Sequence, residues 1–313
     1  MVEPSTTLSI VIVNYNSKDY LRDCLYSIRE TAANLQCEII VIDNRSVDGS
    51  VEFIRKVFPE VILIPNKINC GFSRACNQGI KISRSPYILL LNNDTVLLPH
   101  ALETMISIME KSPGIGLLGC KLLNTDRSLQ QSFGRVTGFV NEFGRKYFIN
   151  LYEKHKNSLV GKFLNWTHAG EKEVAWVKGA CMLLRRQAIL DADLMDENYF
   201  MYMEEVDLSI RIKQLGWKIV YTPRAQIVHH GGGSTATNSY RALVEYRKSQ
   251  LYFYKKHYGK SGLLKLRIYL YCKLCVNYLG WWVVSLFKRG ADSRVEERGR
   301  CLREIFKLVV DYH

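Results

Sequence analysis

Short apolar strands alternate with helical segments over the first 95 residues, and this alternation constrains the fold more strongly than any other feature. Each strand is rich in Val, Ile or Leu, and residues with helical spacing of apolar side chains follow it. The strands are predicted at residues 8–13, 38–43, 61–64 and 87–91. Continuous apolar strands separated by helices are typical of a mostly parallel sheet covered by helices. We therefore expect an α/β fold with a central sheet.

Polar side chains follow the predicted strands. In open α/β sheets, ligands bind at the carboxyl ends of the strands, so these polar groups should meet in one crevice. The groups are Asn14-Tyr15-Asn16, Asp43-Asn44, the stretch from Asn69 to Arg74, and Asn92-Asn93-Asp94. Later in the chain, residues 124–172 are irregular and rich in Gly, Asn, Lys and aromatic side chains, which is typical of a long functional loop.

The charge and the cysteines restrict the class of protein. A net charge of +13 favours an acidic partner, which could be nucleic acid, an anionic membrane surface or a phosphorylated substrate. The nine cysteines are scattered through apolar segments, so we expect a reduced, cytoplasmic protein without a disulfide scaffold. Cys272 and Cys275 are interpreted as helix-face cysteines, with a metal or redox site as the alternative. No signal sequence is predicted, and the apolar run from Leu274 to Phe287 is too short to span a bilayer.

Two carboxylates are candidates because each follows a strand. Asp94, in the Asn92-Asn93-Asp94 motif, could hold a divalent cation that neutralises a diphosphate. Asp43 could accept hydrogen bonds from a nucleobase or a ribose. The structural alternatives are a polar turn for Asp94 and a helix cap or turn for Asp43.

Two further groups lie in the second half of the chain. Glu204, Glu205 and Asp207 stand at a predicted helix start, where clustered carboxylates raise one another's pKa and suit a general base. Their alternative role is to stabilise the helix N-terminus. His229-His230 precedes three glycines, an arrangement that suits metal ligation and a close approach of backbone to phosphate, or simply a flexible polar loop.

Taken in order, these segments resemble family 2 glycosyltransferases of the GT-A fold, especially the rhamnosyltransferase-like members. The resemblance covers residues 7–260. The segments that carry it are 8–16 (LSIVIVNYN), 41–49 (VIDNRSVDG), 69–79 (NCGFSRACNQG), 90–95 (LLNNDT), 176–180 (WVKGA), 202–208 (YMEEVDL) and His229-His230.

The resemblance implies a role for each matching position. Glu205 corresponds to the base that activates the acceptor, with Glu204 as the alternative, while Asp94 and His229 correspond to the groups that bind Mg²⁺ or Mn²⁺. The donor-binding positions are Val13, Tyr15, Asp43, Asn69, Gly71, Arg74, Asn92 and Asn93. The acceptor-side positions are Trp176, Gly179 and Asp207. The catalytic domain would span 1–240, with a donor-binding half at 1–123 and an acceptor-side half at 124–240, and a basic amphipathic helical region at 241–313 would follow.

The chain departs from the family pattern at two positions. Asn92 replaces the first acidic residue of the metal-binding motif, and it can offer only a neutral carbonyl oxygen. Glu204-Glu205 replaces the usual Glu-Asp pair, which leaves the choice of base between them open. The Gln-x-x-Arg-Trp motif of processive members is absent from the sequence, so we expect the addition of a single sugar.

The resemblance therefore predicts an inverting, metal-dependent, non-processive glycosyltransferase. Its donor would be a dTDP- or UDP-sugar, with rhamnose favoured by resemblance, and its acceptor a glycan or polyprenyl-linked glycan in cell-surface polysaccharide synthesis. Two alternatives stay open: a nucleotide-sugar-binding protein with weakened catalysis, and a sugar nucleotidyltransferase. The second class has an N-terminal Gly-rich loop with Arg or Lys, and no such loop follows Val13. No nucleic-acid recognition motif is found, so no nucleic-acid partner is expected.

The region beyond residue 240 interleaves basic residues with aromatic and aliphatic ones. Helices of this kind can lie in an anionic membrane interface, which would place the protein peripherally on the inner face of the cytoplasmic membrane. The alternative is a helix pair that packs within the protein and presents a solvated basic face. The sequence leaves open whether the chain forms a homo-oligomer.

Overall fold

The computed structural model describes residues 6–33, 35–134, 159–231, 239–287 and 293–312. The chain forms two compact units. The first comprises Met1–Glu197 and Glu204–Ser234, and the second comprises Asn198–Met203 and Thr235–His313.

The first unit alternates strands with helices, as the apolar periodicity predicts. Its strands are β1 (Leu8–Asn14), β2 (Cys37–Asp43), β3 (Ile62–Pro65), β4 (Tyr87–Asn92), β5 (Thr95–Leu97), β6 (Ile115–Leu123), β7 (Leu129–Gln130), β8 (Phe133–Gly134), β9 (Lys172–Glu173), β10 (Trp176–Val177), β11 (Cys181–Arg185) and β12 (Lys218–His229). Its helices are α1 (Lys18–Thr31), α2 (Ser50–Val57), α3 (Phe72–Ile82), α4 (Ala101–Lys111), α5 (Leu159–Thr167), α6 (Arg186–Asp191) and α7 (Glu204–Gln214).

The main sheet has the order β3-β2-β1-β4-β11-β6-β12-β5. The expected α/β fold is confirmed, but the sheet is mixed. Strands β3, β2, β1 and β4 are parallel, whereas β11 runs antiparallel to both β4 and β6. The chain returns to the sheet so that β11 begins beside the carboxyl end of β4, where Cys181 pairs with Leu91, and β11 therefore runs back along the sheet.

The register of the sheet brings the predicted polar residues to one edge. Asn14 at the end of β1 pairs with Asp43 at the end of β2, and Val13 pairs with Asn92 at the end of β4. At the far side of the sheet, His229 at the end of β12 pairs with Thr95. Parallel strand ends thus place the first three polar groups side by side.

Helices cover both faces of the sheet. One apolar cluster joins Ile10 and Ile12 to Leu21 of α1, and another joins Val11 to Ile80 of α3. Gly79 permits α3 to lie very close to β1, because a Cβ atom there would stand only 2.4 Å from Val11 Cγ1. This close packing fixes the N-terminal end of α3 at the polar edge of the sheet.

The second unit contains two long helices, α8 (Ser239–Phe287) and α9 (Ser293–Asp311), which confirms the predicted helical C-terminal region. Helix α8 consists of two helical segments that meet at Gly259, where φ is +64°. Its second segment buries a leucine face, and α9 buries a matching apolar face that includes Leu302, Ile305 and Val309. Across the described ranges, none of the helices has the length and apolarity that a membrane crossing needs.

Candidate active site

Buried hydrogen bonds join the ends of β4, β1 and β2. Asn93 Nδ2 donates to Asn14 Oδ1 at 2.8 Å, and Asn14 Nδ2 donates to Asp43 Oδ2 at 2.9 Å. The other oxygen of Asp43 accepts from the backbone N–H of Ser46 at 2.7 Å. The side chains of Asn14, Asp43 and Asn93, which form these bonds, are at most 5% exposed. The hydrogen bonds therefore fix the orientation of the Asp43 carboxylate and hold the ends of the three strands together.

The residues predicted to line the nucleobase pocket lie at these strand ends. Val13 and Tyr15 flank the buried Asn14 and are each partly buried. Sequence reasoning assigned no role to Asn14 itself, although it is the link between Asp43 and Asn93. The signal that could have identified it is a strand-end amide in register with a strand-end carboxylate. The contacts of Val13, Tyr15 and Asp43 with a donor stay predictions.

The Asn69–Arg74 stretch forms the turn into α3. Asn69 Oδ1 accepts from the backbone N–H of Gly71 at 3.0 Å, and Gly71 has a φ of +86°, which favours glycine. Asn44 Nδ2 donates to the Gly71 carbonyl, so the turn is tied to the end of β2. Arg74 lies in the first turn of α3 with 61% of its side chain exposed, and its Nε is 3.8 Å from Glu197 Oε2. Such an exposed, loosely paired guanidinium is suited to binding phosphate.

Asp94 and His229 form the second part of the site. His229 Nε2 lies 3.3 Å from Asp94 Oδ1, and both side chains are about 95% buried, with exposures of 7% and 6%. The Asp94 carbonyl also accepts from the backbone N–H of His230 at 2.9 Å. The structure thus brings together the two predicted metal ligands, which are far apart in sequence. It places His229 at the end of a strand and not in a flexible loop.

Gln130 sets the tautomer of His229. Gln130 Nε2 donates to Asn124 Oδ1 and to the His229 carbonyl, so Gln130 Oε1 faces His229 Nδ1 at 2.6 Å. Lys178 Nζ donates to the same Oε1 atom at 3.0 Å. Because Oε1 can only accept, Nδ1 carries the proton. In the neutral imidazole, Nε2 then presents a lone pair to the Asp94 carboxylate.

This donor set fits a divalent cation. An imidazole nitrogen and a carboxylate oxygen are both ligands of divalent cations, and here they face each other at 3.3 Å. Within the described residues, no group of three or more His, Cys, Asp or Glu side chains could hold a metal ion. Mg²⁺ is commonly bound in this way, by one or two protein ligands together with substrate phosphates and water. Asn92, whose side chain is partly exposed, can add a neutral oxygen.

Replacing Gln130 with Leu should weaken divalent-cation binding by about 10–100-fold, because it removes the acceptor that orients His229. Mn²⁺ titration followed by electron paramagnetic resonance measures the affinity directly. Gln131→Leu is a matched control, since Gln131 Nε2 donates to a backbone carbonyl and not to His229. Equal Mn²⁺ affinity in the Gln130 variant and the wild type would show that Gln130 does not position the ligand.

The two glutamates at the start of α7 lie in different environments. Glu204 is 7% exposed, and its buried Oε2 atom has no hydrogen-bond partner in the described structure. Burial raises the pKa of the Glu204 carboxyl well above its usual range, and the charge of Glu205 raises it further. The shift favours the protonated form of Glu204. Glu205 is the more exposed of the two side chains, although its own Oε2 atom is also buried.

This difference predicts a pH-dependent stability. Glu204 has an ordinary pKa in the unfolded chain, about 4.3, and a raised one in the folded protein. Its contribution to stability is therefore complete below about pH 4 and is lost as the pH rises toward the folded pKa. Glu204→Gln removes this loss. The Tm of the variant minus the Tm of the wild type should therefore become more positive as the pH rises from about 5 to about 8. Parallel Tm profiles for the two proteins over this range would contradict the raised pKa.

The turn between β10 and β11 contacts both the end of β4 and the start of α7. The backbone N–H of Asn92 donates to the Ala180 carbonyl at 3.0 Å. The preceding residue, Gly179, lies against Glu205, since a Cβ atom on Gly179 would be 3.6 Å from Glu205 Cβ. Gly179 and Ala180 therefore contact both the Asn92-Asn93-Asp94 motif and Glu205.

The other two acceptor-side predictions lie deeper in the fold. Trp176 is 6% exposed and packs closely on Gly134 in the two-stranded sheet formed by β8 and β10. Asp207 is fully buried, and its Oδ2 lies 2.7 Å from Arg211 Nε. Arg211 also donates to the carbonyls of Ala192 and Leu194, so this pair anchors α7. The geometry gives Asp207 a structural task, and its contact with an acceptor stays a prediction.

Asn77 is another residue whose task the sequence did not reveal. Its side chain donates to the Met195 carbonyl at 2.8 Å and accepts from the Met195 N–H at 3.0 Å. It also donates to Glu197 Oε1 at 3.0 Å. These bonds tie α3, which carries Arg74, to the 195–197 segment.

Comparisons with known proteins identify the family and the fold of the chain. The profile described as "Glycosyl transferase family 2" matches residues 9–166, which is half of the chain. N-acetylglucosaminyl-diphospho-decaprenol L-rhamnosyltransferase of Mycobacterium tuberculosis is 28% identical over 79% of this chain and 83% of its own length. This relative supports a rhamnosyltransferase-like member of the family.

Two solved structures share the fold at 15% identity. A structure of GalNAc-T7 with UDP, GalNAc and Mn²⁺ aligns over 80% of this chain with a TM-score of 0.54, and S. aureus TarS 1–349 aligns over 78% with a TM-score of 0.50. This chain spans 51% and 65% of the length of these two proteins, respectively. Both show the GT-A fold that the resemblance predicts. With its profile match and this fold, the chain belongs to glycosyl transferase family 2 and is a glycosyltransferase.

Proposed function

We propose that this protein transfers a single sugar, with inversion, from a nucleoside diphosphate to a lipid-linked glycan. The observation that carries the proposal is the convergence at one sheet edge of the Asp94–His229 pair and the strand-end turn that contacts Glu205. Such an arrangement suits a reaction in which a diphosphate leaves and a hydroxyl group loses a proton. The activity for which the mycobacterial relative is named, transfer of L-rhamnose to N-acetylglucosaminyl-diphospho-decaprenol, suggests the first donor and acceptor to test.

The proposed reaction is a direct displacement. Glu205 accepts the proton of the acceptor hydroxyl, whose oxygen forms a bond to the anomeric carbon of the donor. The bond between that carbon and the diphosphate oxygen breaks, and the nucleoside diphosphate departs with the bonding electrons. A divalent cation held by Asp94 and His229 would supply positive charge to the departing diphosphate. Arg74, exposed on the first turn of α3, contributes a further positive charge.

The raised pKa of Glu204 supports Glu205 as the base. Burial and the charge of Glu205 favour the protonated form of Glu204, and a protonated carboxyl cannot accept the proton of an acceptor hydroxyl. Glu205 is the more exposed of the two side chains and lies beside Gly179, so it is the better placed to meet an acceptor hydroxyl.

A second candidate function is a nucleotide-sugar-binding protein with weakened catalysis. The observation that favours it is Asn92, a neutral residue at the position where the family has its first acidic ligand. The sugar nucleotidyltransferase alternative is not retained, because the family match assigns the chain to the glycosyltransferases.

A donor screen distinguishes the two functions. Purified protein is incubated with dTDP-L-rhamnose or with UDP-sugars, with Mg²⁺ or Mn²⁺, and with or without N-acetylglucosaminyl-diphospho-polyprenol, and release of nucleoside diphosphate is recorded. The proposal predicts release that depends on both donor and acceptor, fastest with dTDP-L-rhamnose. Donor binding without release under any of these conditions would support the binding protein instead.

A further inference from the structure

Most of the net positive charge of the chain lies in its last quarter. Residues 239–313 contain 16 Lys and Arg against 6 Asp and Glu, a net charge of +10 out of +13 for the whole chain. The proposed active site lies in the first unit, before residue 231.

Helix α8 has two apolar faces after Gly259. One face is buried and consists of Leu263, Leu266, Leu270 and Leu274. A helix with a single apolar face would be polar on its other side. In α8 the other side is also apolar, and it is exposed.

This second face, called here the exposed stripe, consists of Leu264, Ile268, Tyr271, Tyr278 and Leu279. Successive residues from Leu264 to Tyr278 are four, three and seven positions apart, and Leu279 directly follows Tyr278. This spacing places them on the same side of the helix. Each is 41–62% exposed. The stripe runs over 16 residues, from Leu264 to Leu279, so its ends are about 22 Å apart. Isolated exposed apolar residues are common, but a continuous row of this length marks an interaction surface.

Apolar residues of α9 extend the exposed stripe sideways. The ring of Phe306 lies 5.5 Å from that of Tyr271, and Phe306 is itself 39% exposed. Val310, one turn later on α9, is 42% exposed. The apolar surface therefore covers two neighbouring helices of the same unit.

Basic side chains border this apolar surface. Lys265 is exposed and follows Leu264 directly, and Lys307 is exposed and follows Phe306. Arg267 lies beside Ile268, and its guanidinium donates to the carbonyls of Val309 and Val310 at the end of α9. An apolar centre with cationic neighbours is therefore present.

We propose that the exposed stripe and its basic border bind the surface of an anionic lipid bilayer. The aliphatic residues would enter the boundary between headgroups and acyl chains, Tyr271 and Tyr278 would lie at headgroup level, and the lysines would reach the lipid phosphates. The described helices are not suited to cross the membrane, which agrees with a helix lying in its plane. A second copy of the chain is the less favourable occupant, because the second unit of each copy would carry +10 and the two would repel. This inference does not depend on the identity of the transferred sugar.

Vesicle flotation tests the proposal. Wild-type protein should float with vesicles that contain phosphatidylglycerol, less with pure phosphatidylcholine, and less as the salt concentration rises. The triple variant Leu264→Gln, Ile268→Gln, Leu279→Gln should lose at least about tenfold in partitioning to the anionic vesicles. All three positions are at least 57% exposed, so the fold should tolerate the change, which circular dichroism verifies.

A matched control removes exposed apolar residues from the first unit. Leu190 and Leu215 are 49% and 51% exposed, and Leu190→Gln, Leu215→Gln should float like wild type. Equal flotation of the triple variant and the control would overturn the proposal. So would a wild-type protein that ignores vesicles but forms a dimer, by light scattering, that the triple variant cannot form.

Discussion

Replacing Glu205 with Gln should lower kcat for sugar transfer by about 10²–10⁴-fold and leave donor binding close to its wild-type value. The amide has nearly the same size as the carboxylate but cannot accept the proton of the acceptor hydroxyl. Glu205 lies against Gly179, next to the residue that bonds to Asn92, so it is held beside the predicted donor site. Donor affinity by calorimetry and single-turnover transfer rates provide the two measurements.

Glu204→Gln is the matched control for this result. Since burial and the neighbouring charge raise the pKa of Glu204 and favour its protonated form, a neutral amide resembles that form and should leave kcat within about tenfold of wild type. If instead Glu204→Gln abolished transfer while Glu205→Gln retained it, the roles of the two glutamates would be reversed.

Replacing Asp94 with Asn should weaken divalent-cation binding by at least about 100-fold and shift the metal dependence of transfer to correspondingly higher concentrations. The change removes the carboxylate that faces His229 Nε2 at 3.3 Å. Because the backbone carbonyl of residue 94 would still accept from His230, the local chain path should persist. Mn²⁺ binding by electron paramagnetic resonance reports the loss independently of activity.

Asn92→Asp provides the opposite change at the neighbouring position. It restores the acidic residue that the family usually has there, so it should strengthen Mn²⁺ binding, in contrast to Asp94→Asn. An Asp94→Asn protein with wild-type Mn²⁺ affinity would show that the cation is held by other residues.

The donor-side edge of the sheet could be predicted from the sequence because its signals are local. Apolar runs predict strands β1 to β4, and a polar residue at the end of each run marks the edge where the chain turns. Parallel pairing then places Asn14, Asp43 and Asn92 side by side without further information. Helix α7, which begins at Glu204, was also predicted from its acidic start.

The contacts that complete the site could not be predicted, because they join distant residues. Gln130 lies 99 residues before His229, in a two-residue strand within a region that the sequence shows only as irregular. Asn77 meets Met195 across 118 residues. The antiparallel direction of β11 likewise depends on where the chain returns to the sheet, which no local pattern encodes. Residues 135–158, the central part of the predicted acceptor-side loop, lie outside the described structure.

The configuration of the new glycosidic bond tests the central claim most directly. Direct displacement with Glu205 as base requires the acceptor oxygen to approach the anomeric carbon from the side opposite the diphosphate. Nuclear magnetic resonance of the first product, formed from a donor of known anomeric configuration, should therefore show the inverted configuration. A product that retains the configuration of the donor would contradict the mechanism and the role assigned to Glu205.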